Sequence, residues 1–158
     1  MKTPLVIIGF GPQAKAWALN LRDSGREITI ALRKDSTSED HVRQLGFNVI
    51  WIESEEMKKY QVFVLLIPEN EHRDFLLKNR HSFEEHSRII LSHGLSICKD
   101  SLDELFPHWE FSLLSPKTIA SELRFHFETK QKIPAIYWAK EPQKWLLEIA
   151  RDLGVTSV

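Results

Sequence analysis

The sequence has a single cysteine, Cys98, so no internal disulfide can form, and a lone thiol fits a reducing compartment. Cys98 reads as a passive thiol rather than a nucleophile. No apolar stretch approaches the roughly 20 residues of a membrane span. The run Leu5 to Ile8 near Lys2 is too short for a signal-peptide core, so the expected location is the cytoplasm. A dominant charge is missing as well. Lys and Arg number 21 against 22 Asp and Glu, a net charge of -1, which argues against bulk binding to nucleic acid or an acidic membrane. The seven histidines (41, 72, 81, 86, 93, 108 and 126) show no metal-ligand spacing with cysteine or acids, so no metal ligands are expected in this chain. Internal repeats, low-complexity segments and flexible linkers are absent too. What remains is 158 residues, 42% hydrophobic, enough for one domain around one sizeable core.

The chain is organised around Val6-Ile7-Ile8-Gly9-Phe10-Gly11-Pro12-Gln13-Ala14. An apolar strand runs into a glycine-rich turn that opens a helix, the context in which G-x-G-x-x-G/A binds a dinucleotide. Gly9 lets the chain turn sharply. Gly11 leaves the backbone bare for a pyrophosphate, and Ala14 is small where helix must lie close on strand. Pro12 suits the first helical position but removes one N–H donor from the anion site at the helix start. The competing reading is a structural strand–turn–helix with chance glycines.

The rest alternates strand and helix. Strands are expected at 5–8, 27–32, 47–52, 62–67, 88–92, 110–114, 135–138 and 155–158. Helices are expected at 12–24, 39–45, 53–60, 70–79, 101–105, 118–127 and 142–153. Leu5 to Ile8 and Val62 to Ile67 are continuous apolar runs, as in strands covered on both faces. Ser101 and Glu104 fit a capping box, and Leu146, Leu147, Ile149 and Ala150 mark the buried side of the last helix. The expected fold is α/β: a Rossmann-like, doubly wound, mostly parallel sheet with helices on both faces, as one domain over residues 1–158.

The ends of the strands carry the candidate site. After 27–32 comes Arg33-Lys34-Asp35-Ser36-Thr37-Ser38, where a Rossmann protein reads the adenosine ribose. Arg33 and the hydroxyls of Ser36 and Ser38 suit the 2′-phosphate of NADP. Asp35 leaves open a displaced ribose ligand for NAD, and Ser36 or Ser38 could cap the next helix. Pro68 stops the fourth strand, His93-Gly94 follows the fifth, and Ser115-Pro116-Lys117 the sixth. Positions just past parallel strand ends line the ligand crevice, which places His93 for function, although a lone histidine is often structural. His72-Arg73-Asp74 matches a kinase triplet with nothing else kinase-like around it and is set aside as chance.

These stretches together resemble the N-terminal, NADPH-binding domain of ketol-acid reductoisomerase (acetohydroxyacid isomeroreductase). The resemblance is carried by Gly9 to Ala14 continuing through Ala18 to Gly25, by Leu32 to Ser38, by Leu66 to Asn70, by Ser92 to Leu95 and by Ser115 to Lys117, in family order over nearly the whole chain. It implies a magnesium-dependent alkyl migration in a 2-acetohydroxy acid, then hydride transfer from NADPH, in branched-chain amino-acid synthesis. It implies that Gly9, Phe10, Gly11, Pro12, Gln13 and Ala14 meet the pyrophosphate and that Arg33, Ser36 and Ser38 hold the 2′-phosphate. Pro68, His93 and Gly94 complete the cofactor site, with His93 and Lys117 as the catalytic candidates. Two features depart from the family. Its Gly-Pro-Gly-His loop after Pro-Lys is here Thr118-Ile119-Ala120-Ser121. Its helical C-terminal domain, which supplies the acidic magnesium ligands, is not among these residues. The expectation is an NADP(H)-binding oxidoreductase domain that needs Mg2+ ligands from elsewhere. The alternative is a non-catalytic NADP-binding sensor or interaction module. Trp17, Trp51, Trp109, Trp138 and Trp145 supply apolar area, and a patch of them where the second domain would sit would promote a homodimer.

Overall fold

A computed structural model of the chain describes residues 2–141 and 143–157. One sheet of eight strands runs through it: β1 (Leu5–Ile8), β2 (Ile28–Leu32), β3 (Asn48–Trp51), β4 (Val62–Leu65), β5 (Arg88–Leu91), β6 (Glu110–Pro116), β7 (Ile133–Ala139) and β8 (Val155–Ser157). Their order across the sheet is β3-β2-β1-β4-β5-β6-β7-β8. Every neighbouring pair is parallel except β6 with β7. The helices are α1 (Pro12–Asp23), α2 (Glu39–Gln44), α3 (His72–Lys78), α4 (Leu95–Lys99), α5 (Leu102–Leu105), α6 (Ala120–Glu128) and α7 (Lys144–Leu153).

Alternate strand residues point to opposite faces, so two cores form. On one face Leu5, Ile7, Ile30, Val64 and Leu114 meet Ala14, Trp17, Ala18 and Leu21 of α1, Leu123 of α6 and Leu146, Ile149 and Leu153 of α7. On the other, Val6, Ile8, Phe63, Leu65, Ile89 and Leu91 meet Met57, Leu76 of α3, Ile97 of α4 and Leu102 of α5. All four residues of β1 are fully buried, each contributing about 1.5–3 kcal/mol over exposure. The strand that carries the glycine turn is therefore firmly held, as are its neighbours β2 and β4. Asn20, wholly buried on α1, donates to the carbonyls of Leu123 and Leu153 and accepts from Arg124, locking α6 and α7 beside α1.

The expected fold class holds, and several local expectations are corrected. The strand expected at 88–92 closes at Leu91, and a five-residue helix, α4, follows it. The helix expected at 70–79 is a 3-10 turn at Glu69–Glu71 followed by α3, and that expected at 53–60 is a 3-10 turn at Glu55–Lys59. Ser101 does not build a capping box with Glu104. Its backbone is left-handed (φ 47°), no side-chain cap bond forms, and the Ser101 carbonyl accepts from the N–H of Glu104 and Leu105. The strands expected at 110–114 and 135–138 extend to Pro116 and to 133–139, because they pair antiparallel from Ser112 with Ala139 to Pro116 with Ala135. Leu147 is 40% exposed rather than on the buried side of α7, since Leu146, Ile149, Ala150 and Leu153 already fill the inward stripe. Pro142 and Val158, expected in the last helix and strand, lie outside the described residues, as does Met1.

Candidate functional site: the crevice at the strand ends

The sheet order reverses between β1 and β4, and ligands of open α/β sheets bind in the crevice beyond the strand ends at that point. The turn after β1 forms one lip. Gly9 has φ +92°, and a Cβ there would sit 3.0 Å from the Leu66 carbonyl oxygen and 3.1 Å from Cγ2 of Ile67. Both backbone conformation and the approach of the β4 turn therefore demand glycine at position 9. Gly11 is different. Its φ is an ordinary −75°, it is exposed, and a Cβ there would meet nothing within 4 Å. It is the residue before α1, and no side chain caps that helix, so the first-turn N–H groups, which Pro12 reduces by one, have no side-chain partner among the described residues.

The crevice measures about 380 Å³ and is lined by Gly9, Phe10, Gly11, Leu32, Arg33, Ser36, Ser38, Ile67, Pro68, Glu71 and Phe75, among others. Arg33 is exposed, and Ser36 and Ser38 are half-buried on the wall opposite the glycine turn. Ser38 opens α2 without a side-chain cap, so the capping alternative for its hydroxyl does not apply. The Ser36 hydroxyl accepts from the Ser38 N–H at 3.3 Å, which stiffens the loop. Phe10 packs edge-on against Phe47 and His41. A second hollow of about 360 Å³ continues past Arg33 and Phe75 toward Asp74, Lys78 and Asn79.

Other site candidates lie elsewhere. Ala14 is buried on the inner side of α1, where its small side chain allows the close helix–strand contact. Gln13 turns away from the glycine loop. Its Nε2 donates to the Thr118 carbonyl at 3.3 Å, and its Oε1 is buried without a partner among the described residues. His93 and Gly94 follow β5, two strands from β1, and Lys117 follows β6, three strands away, or roughly 10 and 15 Å along the rim at ordinary strand spacing. His93 and Lys117 are exposed, and Lys117 Nζ donates to the Ser115 hydroxyl at 3.2 Å. The crevice thus gathers Gly9, Phe10, Gly11, Arg33, Ser36, Ser38 and Pro68, while His93, Gly94 and Lys117 continue its rim.

Behind the rim lie two buried polar residues, His72 and Ser96, with the half-buried Glu69 beside them, none of them marked by its spacing in the sequence. His72, 1% exposed, bonds the Ile67 carbonyl through Nε2 (3.1 Å) and the Ser96 hydroxyl through Nδ1 (2.9 Å). The Ser96 N–H donates to Oε1 of Glu69 at 3.2 Å. Burial pushes the His72 imidazole below its ordinary value, against the opposite pull of the Ile67 carbonyl and of Glu69. Only the position of these residues in space, not their spacing, marks them.

The arrangement offers an anion two kinds of partner, N–H dipoles at the start of α1 and the Arg33–Ser36–Ser38 wall. Among the described residues no group of three or more His, Cys, Asp or Glu comes together to hold a metal, and no helix is long and apolar enough to cross a membrane.

The family model described as acetohydroxy acid isomeroreductase, NADPH-binding domain, matches residues 2–153. Ketol-acid reductoisomerase (NADP(+)) of Tropheryma whipplei is 31% identical over 140 residues, covering 84% of this chain and 40% of that protein. The enzyme of the same name from Xanthomonas oryzae pv. oryzae is 30% identical over 139 residues, with the same coverage. The chain therefore spans about 40% of the length of these curated relatives. Among solved structures, an NADH-preferring ketol-acid reductoisomerase from an uncultured archean superposes with a TM-score of 0.87 at 18% identity, over 99% of this chain and 51% of that one. Mycobacterium tuberculosis 3-hydroxyisobutyrate dehydrogenase superposes with a TM-score of 0.72 at 13% identity, over 99% and 54%. At such identities the structural likeness speaks for the fold alone.

Proposed function

The chain belongs to the family of acetohydroxy acid isomeroreductase NADPH-binding domains, and from that premise we propose that it binds NADPH across the ends of β2, β1, β4 and β5 as the cofactor half of a ketol-acid reductoisomerase. Gly11 carries the reading. Neither its φ nor its packing asks for glycine, yet a side chain there would stand between an incoming diphosphate and the bare N–H groups of α1. The family resemblance puts the diphosphate against Gly9 to Ala14. Gln13, tied to Thr118, serves there by holding the turn beside the β6 loop rather than by reaching the phosphates.

Arg33, Ser36 and Ser38 take the 2′-phosphate, Arg33 through charge and the serines through hydroxyl donors. The adjoining hollow past Phe75 takes the adenine. Pro68, Gly94 and His93 then face the nicotinamide half, with Lys117 at the far end of the rim. NADPH, when bound, supplies a hydride. The chain's own residues fix where the cofactor lies and place the His93 and Lys117 side chains beside it. The substrate class is a 2-acetohydroxy acid. The described residues do not fit a magnesium site, since no three of their His, Cys, Asp or Glu side chains come together. The compartment that suits the free, exposed Cys98 is the cytoplasm.

A second reading, NADPH binding without catalysis, draws on the β6 loop. Gln13 tethers Thr118 where the family carries a glycine-rich segment, which restrains motion beside His93 and Lys117.

Fluorescence titration of the chain and of Arg33→Ala with NADPH and NADH tests the assignment. The wild type binds NADPH more tightly, and Arg33→Ala shrinks the preference by about tenfold, the scale of one exposed charge-assisted bond. Equal affinity for the two cofactors in the wild type overturns the 2′-phosphate site.

A further inference from the structure

We propose that His72 is a positioning residue that clasps the turn after β4 to the start of α4 and so sets where Pro68, His93 and Gly94 stand on the nicotinamide side of the crevice. The proposal rests on the NADPH reading above. A carbonyl oxygen only accepts, so Nε2 of His72 carries the hydrogen and donates to Ile67, and Nδ1 accepts from the Ser96 hydroxyl. Ser96 is held a second time, through its N–H to Glu69. One segment, Ile67 to His72, therefore grips Ser96 by side chain and backbone together. Ser96 stands two residues after Gly94, and Pro68 lies one residue after Ile67.

The grip acts through others. His72 and Ser96 are each 1% exposed and neither lines the crevice, whereas Pro68 does. A five-residue helix such as α4 has little stability of its own, so its placement depends on contacts of this kind. The ring must stay neutral for Nδ1 to accept. The titratable and charged groups acting on it are Glu69 from the turn, His93 after β5 and Asp100 at the end of α4, while Arg73 and Asp74 on its own helix are exposed.

The test uses two probes, NADPH and 2′-phospho-ADP-ribose, which shares the adenosine, phosphate and diphosphate groups but lacks nicotinamide. Ser96→Ala removes the hydroxyl with little disturbance of the fold. His72→Leu removes both bonds, and His72→Gln restores a donor and an acceptor. Ser96→Ala and His72→Leu are expected to weaken NADPH roughly three- to tenfold, the range of one hydrogen bond, and to leave 2′-phospho-ADP-ribose within about twofold. His72→Gln is expected to bind NADPH nearly as the wild type does. If Ser96→Ala leaves NADPH binding intact, or weakens both probes alike, the clasp is overturned while the site stands. If the wild type binds neither probe, the NADPH reading fails and takes the clasp with it.

Discussion

Two flanks of the same sheet are finished differently. From β3 through β5, helices or turns cover both faces, and Ile7, Ile8, Phe63 and Val64 are wholly buried. At β7 only one face is covered, and that one only in part, since Tyr137 is exposed. Ile133 and Ala135 lie in the core with α7, while Ile136 and Trp138, on the opposite side, are 45% and 44% exposed. The crevice of Gly9, Gly11 and Arg33 stands on the covered flank, where strand positions are over-determined by packing. The open flank adds strands to the sheet without adding a wall to the crevice. Binding geometry and chain extension are thus separate in this domain.

Four measurements break or sharpen that contrast. Ile7→Ala, at the centre of the covered flank, is expected to cost about 2–5 kcal/mol in denaturant unfolding. Gly9→Ala forces a side chain onto a φ of +92° and against the Leu66 carbonyl, and is expected to cost about 1–3 kcal/mol. The third measurement is pH. Because folded His72 binds a proton less readily than the unfolded chain does, its contribution is intact above about pH 6.5 and declines as pH falls below it. Stability should therefore drop between pH 7 and pH 5, and His72→Gln should flatten that drop; an equal drop in the variant would rule His72 out as its source. Trp138→Ser, on the open flank, should change stability by no more than about 0.5 kcal/mol. A Trp138→Ser cost as large as that of Ile7→Ala would erase the distinction between the flanks.

The covered flank was also the more legible one. Leu5 to Asp23 could be read almost to the residue because a continuous apolar run, two glycines and a proline each allow few conformations there. Arg33, Ser36 and Ser38 could be placed on one wall because they immediately follow β2. The β6–β7 pair was underestimated because the extent of a strand depends on its partner, and that pairing joins residues far apart in sequence. Ser101 misled because its backbone is left-handed rather than in the extended form of a usual helix cap, and its hydroxyl makes no cap bond. His72 escaped notice for a related reason. Its partner Ser96 lies 24 residues away, and no periodic pattern joins them.

The fold requires Gly9, whereas the proposed NADPH site is what calls for Gly11, and the most direct measurement exploits that difference. Gly11→Val adds a side chain where a Cβ meets nothing within 4 Å and where φ is ordinary. The account predicts a melting temperature close to that of the wild type together with loss of NADPH binding in a calorimetric titration. A Gly11→Val chain that folds and still binds NADPH with wild-type affinity would contradict it.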